Sequence, residues 1–107
     1  MKRGDLITVA FSGDFGKPRP ALVVQSDDFG DLSTVTVLPL TSNLMNVRRT
    51  RIVLVPTAEN GLRSPSSIML DKIGSLYRNK VGPVIGRLSP DEMTAVNRAL
   101  AIFLGIV

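Results

Sequence analysis

Only one stretch of this chain carries a helical period, and it lies at the C-terminal end. Ser89 suits a helix cap, Pro90 the first helical position, and Glu92 follows Ser89 at the spacing of a capping box. Met93, Val96, Leu100, Phe103 and Leu104 then recur at helical spacing and predict one apolar stripe against a core. Everything upstream is cut by Gly, Pro, Asn and Asp into short runs rich in β-branched residues. Residues 6–11, 21–25, 34–40 and 50–55 read as strands, with Pro56 ending the last of these. Residues 67–76 read as a fifth extended segment and 81–85 as a short further piece. Between them lie a glycine-bearing loop over 12–18, a turn over 26–31 and an Asn60-Gly61 turn within 58–65. Many short strands closed by one helix predict a mainly β protein with a C-terminal helix (α+β). The expected form is a small, strongly bent, partly open β-barrel of SH3-like type with the helix packed on it.

A length of 107 residues admits one domain, 1–107, with a single core, and an apolar fraction of 44% suffices to fold it. The chain has no cysteine, which excludes a disulfide-stapled secreted scaffold. Met1-Lys2-Arg3-Gly4-Asp5 leads into the first strand without an apolar signal core, and no apolar stretch has the length of a membrane span. A cytoplasmic protein with no membrane partner is expected.

The net charge of +4 and a pI near 10 favour polyanionic partners, either nucleic acid or an acidic protein segment. The chain also lacks histidine, which removes Ser-His and Cys-His nucleophile pairs, histidine zinc sites and two-histidine acid–base arrangements. Catalysis would have to come from carboxylates, hydroxyls, Arg and Lys. Asp27, Asp28 and Asp31 lack calcium-loop spacing, and Gly82-Pro83-Val84-Ile85-Gly86 is not followed by the Lys and hydroxyl of a phosphate loop. No metal and no cofactor is expected. Arg3-Gly4-Asp5 reads as a turn into the first strand, with Asp5 hydrogen-bonded to it.

Arg19 lies between Pro18 and Pro20, ahead of the apolar run 21–24. The prolines fix φ and push the residues before them toward extended backbone, so a guanidinium fork is presented at a strand entrance from a stiff base. Such a fork suits a phosphate or a carboxylate; the alternative is an ordinary surface cation at a loop end. The loop 43–51 holds Arg48, Arg49 and Arg51, the densest positive charge in the chain. That cluster is either a solvated basic surface or a track for a single-stranded backbone. Phe15 and Phe29 lie in loops where they could stack on bases, whereas Phe103 belongs to the helix stripe.

In order and spacing, Lys2-Arg3-Gly4-Asp5, Arg19-Pro20-Ala21-Leu22-Val23-Val24 and Pro39-Leu40-Thr41-Ser42 resemble the signature of the MazF/PemK (Kid) family of toxin endoribonucleases. The resemblance spans nearly the whole chain. It implies the same fold and a toxin of a type II toxin–antitoxin pair that cuts single-stranded mRNA in a sequence-specific, metal-independent reaction. It also implies a homodimer whose RNA groove spans both subunits, and a cognate acidic antitoxin whose disordered tail occupies that groove.

Metal-free RNA cleavage uses the ribose 2′-hydroxyl as nucleophile. The site must help remove that proton, stabilise the phosphorane and assist the departing 5′-oxygen. Arg19 suits the second task, since arginine is a poor proton donor. Thr41 ends the third strand, where a hydroxyl either donates to a phosphate oxygen or merely forms the turn; Ser42 is the neighbouring alternative. The match to the family's Thr/Ser at that strand end assigns Thr41 to the site. Alternation through 67–73 puts Ile68 and Leu70 on one face and Met69, Asp71 and Ile73 on the other. A carboxylate on that mostly apolar face is a candidate base, or else a surface ion pair with Lys72 or Arg51. The Kid branch of the family has a proposed base aspartate in this strand, and Asp71 is at the similar position. Family members commonly carry an arginine in a Gln-Ile-Arg-like run here; this chain has Lys72-Ile73-Gly74, so the cation is shifted to Lys72 or lost. The candidate site is therefore Arg19, Thr41 and Asp71, with Lys17, Ser42, Arg48, Arg49, Lys72 and Phe15 as RNA contacts. Two rivals share the fold class: a CcdB-like gyrase poison and a non-catalytic SH3-like nucleic-acid-binding module.

Overall fold

A computed structural model of the chain describes residues 1–10 and 17–107. Its strands are β1 (Asp5–Val9), β2 (Arg19–Val23), β3 (Thr34–Thr41), β4 (Arg51–Leu54), β5 (Ser66–Met69), β6 (Gly74–Tyr77) and β7 (Val81–Arg87), followed by helix α1 (Pro90–Leu104). All the pairings are antiparallel, in the order β4-β5-β3-β2-β1-β7, and β6 adds to β3. The path does not close on itself. This is the partly open, mainly β architecture with a C-terminal helix that the short strand runs predict.

Both faces of the central strands are buried. Leu6, Leu22, Leu38 and Leu40 join Ile68, Leu70 and Val96 in one core, which α1 and the β4–β5 hairpin cover. Ile7, Val9, Ala21, Val23, Val35 and Val37 form a second cluster on the opposite face, flanked by Leu76 and Val81. Strands buried on both faces read as nearly continuous apolar runs, which explains Ala21 to Val24 and Val35 to Leu40.

Helix α1 begins as its sequence predicts. The Ser89 hydroxyl accepts from the Glu92 amide at 3.1 Å, and the Glu92 carboxylate accepts from the Ser89 amide at 2.8 Å. Gly105 ends the helix with φ +73°. Val96 is buried and Met93, Ala99 and Leu100 pack on the core. Phe103 and Leu104, expected on the same stripe, are instead exposed, because the helix runs past the core beyond Leu100. Asp5 accepts from the Lys2 amide at 2.8 Å and pairs with Arg87 at 3.2 Å, which holds the turn into β1.

The extended segment expected over 67–76 is two strands. Leu40 of β3 faces Ile68 of β5, whereas Val37 faces Gly74 of β6. Three steps along β3 thus match six along its outer neighbour, and the surplus is coiled into a 3₁₀ turn, Leu70–Lys72. Alternation continues in the sequence because each half is genuinely extended. The break comes from a change of register on β3, which no local pattern encodes. β2 also starts two residues before the expected 21–25, so Arg19 and Pro20 belong to the strand.

The Asn60-Gly61 turn is pinned against β7. Asn60 is 1% exposed; its Nδ2 donates to the Val55 carbonyl at 2.8 Å, and its Oδ1 accepts from the Thr57 and Leu62 amides at 3.0 Å. Gly61 has φ +68°, and a Cβ there would lie 2.0 Å from the Ile85 carbonyl oxygen. Asn60→Ala strands three backbone partners in a buried place and should cost about 2–4 kcal/mol, read from urea unfolding. A loss under about 0.5 kcal/mol would show that the turn is held by other contacts.

Candidate functional site

The β2–β3 register pairs Ala21 with Pro39 and Leu22 with Leu38; carried two residues further, it sets Arg19 opposite Thr41. Directly opposed residues have Cβ atoms about 5 Å apart on one face of the sheet. Both residues are half-buried, at the outer end of the face that carries Ala21, Val23 and Val37. The Thr41 hydroxyl accepts from the Asn43 amide at 3.1 Å, which fixes the rotor and leaves its proton for donation. Asn43 in turn accepts from the Met45 amide at 3.0 Å.

Arg19, Leu40 and Thr41 form the ridge between two cavities. The first, of about 610 Å³, continues over Val37, Pro39 and Met69 to Lys72, Gly74 and Ser75. The second, of about 540 Å³, is bordered by Lys17, Ser42, Arg63 and Ser64 above Leu62 and Ile85. Lys17, Arg19, Arg63 and Lys72 line these spaces, and among the described residues no carboxylate does. The result is an electropositive groove centred on a guanidinium and a hydroxyl. It suits an extended polyanion, with one phosphate at the centre.

Gly74 belongs to the first cavity. A Cβ there would meet only the Lys72 carbonyl, at an ordinary 3.8 Å, so the position has room for a side chain. Lys72 supplies the cation on this side, at the end of the 3₁₀ turn.

Asp71 is placed differently. Its carboxylate is ion-paired with Arg51, which also donates to the Thr50 hydroxyl at 2.8 Å. The Leu70 amide donates to the Thr50 carbonyl at 3.0 Å, so the 3₁₀ turn is stitched to the start of β4. Asp71 lines neither cavity. Of its two possible sequence partners it takes Arg51, and the strand alternation that set it on a face with Met69 is interrupted by the turn. Arg48 and Arg49 also lie elsewhere. Both have positive φ (48° and 59°), and with Arg98, Ile102 and Phe103 they border a separate cavity of about 350 Å³ against α1. Phe29 is exposed on a 3₁₀ turn, Asp27–Phe29, and lines neither groove cavity. Phe15 lies outside the described residues. Arg63, Ser64 and Ser75 join the groove although no sequence signal marks them, since only the fold brings the 61–64 segment beside β2.

The chain matches, over residues 2–104, the family described as PemK-like, MazF-like toxin of type II toxin–antitoxin system. It is 41% identical over 107 residues to a probable endoribonuclease MazF of Mycolicibacterium smegmatis, covering 99% of this chain and 98% of that protein. Its fold is similar to a mycobacterial endoribonuclease solved with its cognate antitoxin (TM-score 0.83, 23% identity, 100% of this chain and 97% of the other). A MazE–MazF structure from Deinococcus radiodurans gives a TM-score of 0.78 at 23% identity, covering 98% of this chain and 95% of that one.

Arg51→Ala leaves a mostly buried carboxylate without its cation and should lower stability by about 1–3 kcal/mol, measured as a shift in the urea midpoint. An unchanged midpoint would mean that this pair does not hold the 3₁₀ turn in place.

Proposed function

The chain belongs to the family of PemK-like, MazF-like toxins of type II toxin–antitoxin systems, and on that premise we propose that its groove binds single-stranded mRNA and cuts it at the Arg19–Thr41 pair. The observation that carries this reading is that Arg19 and Thr41 together border both cation-lined cavities, where the β2–β3 register, carried two residues on, sets them opposite each other. A strand of RNA laid through both sets its scissile phosphate against the guanidinium, which takes two non-bridging oxygens in a bidentate contact. The Thr41 hydroxyl donates to the same phosphate and holds it in line. The nucleophile is the ribose 2′-hydroxyl: its proton passes to Asp71 or to water, and its oxygen bonds the phosphorus as the P–O5′ bond breaks. The 5′-oxygen takes a proton from solvent, and Arg19 stabilises the charge that develops on the phosphorane. The sequence-specific cut then needs no resident metal. Asp71, whose Oδ1 is held by Arg51 one residue before Lys72, is the carboxylate proposed as the base.

The natural partner in this reading is a cognate antitoxin whose acidic segment competes with RNA for the same cations. The positive net charge supports both partners. The toxin acts as a homodimer in the cytoplasm, with residues 1–107 as one toxin domain. No helix of the described residues is long and apolar enough to cross a membrane. Nothing observed favours the gyrase-poison or the non-catalytic reading, and the Mycolicibacterium smegmatis relative is named a probable endoribonuclease.

Purified protein should cut single-stranded RNA in the presence of chelator, leaving a 2′,3′-cyclic phosphate and a 5′-hydroxyl. Arg19→Ala should reduce the rate ~100-fold or more, on the order of 3 kcal/mol of barrier, while the fold is kept. Products with a 3′-hydroxyl, loss of cutting in chelator, or an active Arg19→Ala protein would each overturn the mechanism.

Gly74→Arg should restore a cation to the first cavity without strain. The variant should bind a non-cleavable RNA more tightly and steepen the log–log salt dependence by roughly 0.7, the value for one phosphate contact on a single strand. If affinity and slope stay unchanged, while Lys72→Ala lowers both, Lys72 already fills that role.

A further inference from the structure

The second cavity holds a cation that the catalytic reading leaves unused. Arg63 borders it with Lys17 and Arg19, over a floor that includes Leu62 and Ile85. Arg63 and Lys17, both bordering this space, suit an anion between them. Arg63 also comes off a fixed base. Asn60 and Leu62 are buried, and a Cβ on Gly86 would lie 2.3 Å from the Asn60 carbonyl carbon, so the turn is clamped to β7 immediately before Arg63. The side chain is thus presented from a rigid mount, as Arg19 is presented between two prolines.

We infer that Arg63, with Lys17, holds the backbone phosphate next to the one at Arg19 and Thr41. It is a positioning residue, and it fixes where along the strand the cut falls. The inference rests on the reading of the groove as an RNA site. Arg63 supplies a bidentate fork and Lys17 a point charge, which together suit one phosphodiester. The floor of Leu62 and Ile85 takes the apolar face of the intervening nucleotide. Ser64, beside Arg63 on the rim, offers a hydroxyl to the same phosphate.

The test uses the full chain and a single-stranded RNA whose cleavage position has been mapped with wild type, carrying a 2′-deoxy nucleotide there so that it is bound and not cut. Arg63→Ala should weaken binding ~10-fold and lower the log–log salt slope by roughly 0.7. Lys80→Ala, a charge-matched change on the exposed turn Arg78–Lys80 outside both cavities, should do neither. Replacing the charged linkage on one side of the scissile phosphate by a neutral methylphosphonate should weaken wild type by a similar factor and leave Arg63→Ala indifferent. In cleavage of the all-ribo strand, Arg63→Ala should raise KM with kcat changed by less than about twofold. Unaltered affinity and slope in Arg63→Ala, or methylphosphonate losses that add in full to those of the variant, would overturn the inference. A wild type that neither cuts nor binds RNA would instead refute the parent reading.

Discussion

Along β3 the chain changes its outer hydrogen-bonding partner from β6 to β5, and the three surplus residues are forced out into the turn Leu70–Lys72. β3 is buried on both faces and paired on both edges, so it cannot yield to absorb the mismatch. The neighbouring strand yields instead. That turn brings Lys72 to the edge of the first cavity and commits Asp71 to Arg51. The inner edge of β3 meanwhile pairs Val37, Leu38 and Pro39 with β2, a register that, carried two residues on, sets Arg19 against Thr41. One strand therefore fixes both the centre of the groove and the cation beside it.

The chemistry available there follows from what the chain lacks. Without histidine there is no side chain with ordinary acid–base behaviour near neutral pH, and among the described residues the groove is lined by cations, hydroxyls and apolar residues. In the proposed reading such a site works by holding a phosphate in line and balancing developing charge, which is the larger part of phosphoryl-transfer catalysis. Precise placement then matters more than proton transfer. Both central side chains are mounted accordingly: Arg19 between two prolines at the start of a strand, and Thr41 with its oxygen tied to the Asn43 amide.

Much of this was legible in the sequence, because the signals were local. Helix α1 was marked by a capping box and an apolar period, Arg19 by its flanking prolines, and the strands by β-branched runs between turn residues. The placements that local pattern did not encode were non-local. The alternation over 67–76 concealed the register change on β3. Phe103 and Leu104 keep the helical period after the core beneath them has ended. Arg48 and Arg49 are close to Thr41 along the chain, but the connection to β4 carries them against α1. Arg63 had no signal of its own, since its place in the groove depends on Asn60 and Gly61 closing against Ile85 and Gly86. A short motif can be read from sequence when its own backbone positions it, and cannot when a distant strand does.

The central claim is that one phosphate lies between Arg19 and Thr41. Solving the structure of the protein with a single-stranded RNA blocked by a 2′-deoxy nucleotide at the cleaved position tests it most directly. The account predicts the scissile phosphate within about 3 Å of both the Arg19 guanidinium and the Thr41 hydroxyl, with the strand running through both cavities. A phosphate held instead among Arg48, Arg49 and Arg98, with the Arg19–Thr41 pair empty, would contradict it.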